Sequence, residues 1–86
     1  MPDRENEKTI TFSIKSEKEV EMKNIITIVY EALSEKGYND PFSQIAGYII
    51  ADEPTYITSF KNARSLIRKI DRYELLSVLL KSYIDV

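Results

Sequence analysis

The chain has 86 residues, 14 acidic and 12 basic for a formal charge of -2, with no cysteine and no histidine. That length makes one small domain with a thin core, and the missing thiols and imidazoles exclude disulfides, thiol or imidazole catalysis and nitrogen-rich metal sites. Oligomerisation is the remaining support for so small a core, and the near-neutral charge gives no global attraction to nucleic acid or anionic lipid.

Residues 1–8 carry five charges and no apolar run, so they predict a disordered end rather than a signal peptide. No apolar stretch approaches the roughly 20 residues of a spanning helix, and the expected location is the cytoplasm. Residues 9–14 then alternate, with Ile10, Phe12 and Ile14 on one side and Thr9, Thr11 and Ser13 on the other. This is a strand pattern without a second strand, so the segment is flexible, packs as an extended arm or pairs with another chain.

From Val20 the period becomes helical. Met22, Ile25, Ile26, Val29, Ala32 and Leu33 define helix 1 over residues 19–36, which Gly37 ends and which the Ser16/Glu19 spacing can start earlier. Asn39 or Asp40 caps helix 2, which opens at Pro41 and runs to Ala51. Asp52, Glu53 and Pro54 open at most one further turn. Asn62 can cap helix 3, with Ala63, Leu66, Ile67 and Ile70 as its apolar stripe. Asp71 with Glu74 restarts a helix at Arg72 that runs to Ile84.

That last helix carries Leu75, Leu76, Val78, Leu79, Leu80, Tyr83 and Ile84. They cover roughly 240° of its circumference, more than one core-facing stripe needs. It therefore lies at the centre of the bundle or meets a second subunit, with Leu76, Leu79, Leu80 and Tyr83 as candidate dimer-interface residues. The fold class is all-α: a small bundle of four to five short helices, residues 19–86, behind a flexible tail, residues 1–18.

No catalytic, cofactor-binding or metal-ligating set emerges. The acids lie at caps and on helix surfaces, and the only glycines, Gly37 and Gly47, build no phosphate loop. Lys61, Arg64, Arg68, Lys69 and Arg72 concentrate positive charge in one stretch. Arg64, Arg68 and Arg72 recur every fourth residue, as on one helix face. Such a face is either simply solvated or a dock for a phosphate or an acidic partner. The alternative function is a small nucleic-acid-binding module on that face, although the link before helix 3 is too long for a helix-turn-helix. Six tyrosines suit core edges, and Gly47 inside helix 2 suggests tolerance or a close approach.

Several segments in order resemble the IreB-like proteins of Gram-positive bacteria. They are residues 35–39 (EKGYN), Gln44-Ile45 with Gly47-Tyr48, Pro54 with Tyr56-Ile57, residues 62–69 (NARSLIRK), and Arg72 with Glu74. The resemblance covers nearly the whole chain. It implies a helical homodimer with a flexible N-terminal tail, phosphorylated by a transmembrane Ser/Thr kinase with extracellular cell-wall-binding repeats and restored by a cognate phosphatase. It also implies negative regulation of intrinsic cephalosporin resistance. Thr9 matches the family's tail threonine, followed by apolar Ile10, variable Thr11 and Phe12; Thr11 is a second candidate acceptor. The family's upstream acceptor falls on Asn6, which cannot be phosphorylated. Asp40 is an insertion before Pro41, and Asp52-Glu53 replaces the family's usual Gly-Asp.

Overall fold

The computed structural model describes residues 16–85. Among them are four α-helices and two 3-10 turns, with no strand: α1 (Glu17–Glu35), α2 (Pro41–Ala51), α3 (Ala63–Ile67) and α4 (Arg72–Ile84), with the turns Pro54–Tyr56 and Phe60–Asn62 between α2 and α3. The strand pattern of residues 9–14 lies outside the described residues.

Each helix start has a local chemical cause. The Ser16 hydroxyl accepts from the Glu19 amide at 3.1 Å, which starts α1 two residues before Glu19. Asp40, not Asn39, caps α2 by accepting from the Ser43 amide at 3.2 Å, with Pro41 in the first turn. Asp71 accepts from the amides of Tyr73 and Glu74 and so restarts the chain as α4. At the end of α1 the Gly37 amide donates to Ser34 and the Tyr38 amide to Leu33. This closure needs the left-handed φ of +90° that Gly37 adopts.

The core forms around α1. Met22, Ile25, Val29, Ala32 and Leu33 are buried along one face of α1, against Ala63 and Ile67 of α3, Ile45 and Tyr48 of α2, and Ile57 from the link. Leu33, Ile57, Ile67 and Val29 are fully buried. Ile70 and Leu75 close the core at the α3–α4 corner.

Three expectations are corrected. Asn62 makes no side-chain cap; it and Lys61 both hold left-handed backbone, at φ 63° and 55°. The chain enters α3 from a 3-10 turn, and the Asn62 amide donates to Ser59. Helix 3 also ends at Ile67, because Lys69 and Ile70 bond back to Leu66 and Ile67 in tighter turns. Nor does α4 lie at the centre of the bundle, since Leu75 is its one buried residue.

Candidate functional site

Residues 1–15, with Thr9 and Thr11, lie outside the described residues and join them at the capped start of α1. The surface next to that junction is formed by α1 and α4. A salt bridge from Lys18 to Glu74, 2.9 Å, ties the beginnings of the two helices together. The hydrogen bond to Glu74 and its charge raise the Lys18 pKa above its ordinary 10.5.

Beyond that tie the helices enclose a groove of about 590 Å³, lined by Val20, Ile26, Leu75, Val78 and Leu79 and rimmed by Glu19, Lys23, Asn24, Thr27 and Ser82, with Met22 at its floor. At about 100° per residue, Leu75, Val78, Leu79 and Ser82 share the side of α4 that faces α1. Tyr73, Leu76, Leu80, Tyr83 and Ile84 fall on the other side, where Tyr73 and Tyr83 are 82% and 90% exposed and Leu80 is 52% exposed. Tyr73, Leu76, Leu80 and Tyr83 are spaced 3, 4 and 3 apart, the repeat of a helix-pairing seam. The molecule measures 47 × 24 × 21 Å. The excess apolar character of α4 therefore divides into a groove wall and an outer seam, with Leu79 beside the boundary.

The basic stretch does not form one stripe. Arg64 is caught beneath the link, its Nε donating to the Ile57 carbonyl at 2.8 Å. Arg72 belongs to the next helix. It donates to the Ile49 carbonyl and lies 3.3 Å from the Asp52 carboxylate, so it fastens α4 to the end of α2. Lys61 pairs with Glu35 at 3.0 Å, and Lys61 and Lys36 both lie over the Phe60 ring. Arg68 and Lys69 are exposed in the turn after α3. Spacing by four had assumed a continuous helix, and the break at residues 68–71 separates Arg72 from the others. The paired acids at Glu35 and Asp52 interrupt the positive face that a nucleic-acid module would need.

The profile described as IreB regulatory phosphoprotein matches residues 7–85, which takes in both candidate threonines and every described helix. The chain belongs to the IreB family. It is 51% identical over 77 residues to a UPF0297 protein of Ruminiclostridium cellulolyticum, covering 90% of this chain and 86% of that protein. A UPF0297 protein of Lachnoclostridium phytofermentans is 53% identical over 74 residues, 86% of this chain and 83% of its own. One from Acetivibrio thermocellus is 48% identical over 80 residues, 93% of this chain and 88% of its own. The resemblance read from the residues is thus a family membership, and the IreB family is described as regulatory. Among the described residues, no helix is long and apolar enough to cross a membrane.

Reading the sequence missed Tyr73 as part of the outer seam, although its spacing from Leu76 carried the signal. It also missed Val20 and Ile26 as a groove wall. Those side chains become one surface only once α1 and α4 lie side by side, which no local pattern encodes.

Proposed function

We propose that this IreB-family chain is a non-enzymatic, cytoplasmic effector of a transmembrane Ser/Thr kinase with extracellular cell-wall-binding repeats. Thr9 is the principal acceptor and Thr11 the second. A cognate phosphatase reverses the modification, and the protein restrains intrinsic cephalosporin resistance. The observation that carries this reading is the match to a regulatory phosphoprotein family over a span that includes Thr9 in its Thr-apolar-X-Phe setting. The modification adds about -1.5 to -2 charges to an otherwise uncharged run.

The protein acts as a homodimer joined through the outer seam of α4, Leu76, Leu80 and Tyr83, with Leu79 at its edge. The exposure of that seam supports the reading, since an apolar helix face of this kind marks an interaction surface. Incubation with the cognate kinase and ATP, followed by mass-spectrometric mapping, tests the acceptor assignment. Phosphate on Thr9 is expected, and label confined to other residues refutes it.

A further inference from the structure

We propose that the groove between α1 and α4 receives the outer seam of a second copy's α4, so that each copy seats its Tyr73, Leu76, Leu80 and Tyr83 in the other's groove. This seat rests on the homodimer reading above and adds where the seam goes. Length selects the occupant first. The groove follows α1 as far as Thr27, and Tyr30, three residues on, continues the same side of the helix. There the Tyr30 ring packs 4.9 Å from that of Phe42 on α2. The apolar wall of α1 thus runs from Val20 to Tyr30, and the seam from Tyr73 to Tyr83, each about 15 Å of helix.

Chemistry agrees with length. No seam residue is charged, so seating it desolvates no ion. Asn24, Thr27 and Ser82 on the groove rim can pair the two phenol hydroxyls. Seam against seam alone would cover only a few side chains, whereas a stable interface uses about 20–30 residues a side. The groove seat also covers Val20, Ile26, Val78 and Leu79, together with Phe42, which is 68% exposed. Groove and seam belong to the same chain. One seam in one groove would leave a free seam and a free groove and let chains add without end; a two-fold pairing fills both at once and closes.

Val20→Asp and Phe42→Asp test the seat, because both side chains are exposed and lie off the seam. Sedimentation equilibrium should show each weakening the dimer by roughly tenfold or more, with the helical content measured by circular dichroism unchanged. Isotope-filtered NMR of dimers mixed from labelled and unlabelled wild-type chains should show the Tyr73 or Tyr83 ring of one chain against the Val20 and Ile26 methyls of the other. Unchanged dimer dissociation constants in both variants, or contacts between chains confined to α4, would overturn the seat and leave the homodimer standing. A wild-type monomer at micromolar concentration would overturn the homodimer itself and the seat with it.

Discussion

Gly47 stands on α2 where an added Cβ would lie 2.5 Å from Cε1 of Tyr56. The ring sits over the helix because the Gln44 side chain holds the Tyr56 carbonyl at 2.8 Å and Pro54 turns the chain back. Sequence could say only that glycine in a helix is tolerated or marks a close approach; the approaching group is a ring nine residues on, and that required the fold. Gly47→Ala should therefore destabilise by up to about 2 kcal/mol net, displacement of the Tyr56 ring outweighing the helix preference of alanine. In a Tyr56→Ala background the same change should stabilise by up to about 1 kcal/mol, the helix preference of alanine over glycine. Urea unfolding of the four proteins measures this reversal of sign. Asp52 answers a similar question. It takes φ 56°, a left-handed turn that the resemblance led one to expect of glycine, with Arg72 3.3 Å from its carboxylate. Asp52→Gly should be more stable than Asp52→Ala by about 1 kcal/mol, because both lose the ion pair and only alanine keeps the strain of the left-handed backbone.

Tyr48 is the buried phenol of the core. Burial pushes its pKa above the ordinary 10.0, and the nearby Asp52 carboxylate adds to the shift. A raised folded-state value means the neutral phenol is favoured by folding, so this contribution is present below the unfolded pKa and is lost as pH rises through the folded one. Lys18, raised by Glu74, has the same sign in the same alkaline window. Glu53, whose carboxylate accepts from the Thr55 hydroxyl and amide, is lowered below 4.5 and contributes in the opposite sense, being lost in acid. The urea midpoint should fall as pH rises above about 10, and Tyr48→Phe should shrink that fall.

At the scale of elements, the helix starts were legible because single side chains make them. Ser16, Asp40 and Asp71 each accept from the amide three residues on, and Pro41 and Gly37 mark a start and an end. The third helix was not legible in the same way. Consecutive left-handed residues at Lys61 and Asn62 are locally unfavourable, and they occur where Lys61 reaches Glu35 and lies over Phe60. Those contacts are tertiary. The last helix presents the converse case. With Leu75 its one buried residue, α4 depends on its cap more than the other helices do. Asp71→Ala should cost about 1 kcal/mol and appear as lost amide-exchange protection along α4, with α1 unchanged. Equal loss in both helices would show that α4 is held by packing.

For the whole molecule, the thin core and the two-sided apolar helix have one explanation. α1 supplies a continuous buried face, and the proposed homodimer would cover the outer seam that α4 leaves exposed. Sedimentation at micromolar concentration should give a dimer, and Leu76→Asp with Leu80→Asp should give a folded monomer, since neither side chain belongs to the buried core. A wild-type monomer would remove this explanation of α4. The proposed acceptor has another source: family resemblance, not periodicity, distinguished Thr9 from Thr11, and Asn6 reduced the expected tail control from two family sites to one. The proposed function is that of a regulatory phosphoprotein controlled at that residue. Its most direct test is the phosphate incorporated by the cognate kinase into wild-type protein, Thr9→Ala and the Thr9→Ala, Thr11→Ala double variant. Most incorporation should disappear with Thr9 and the remainder with Thr11, whereas undiminished incorporation into the double variant, or none into wild type, would refute control at Thr9.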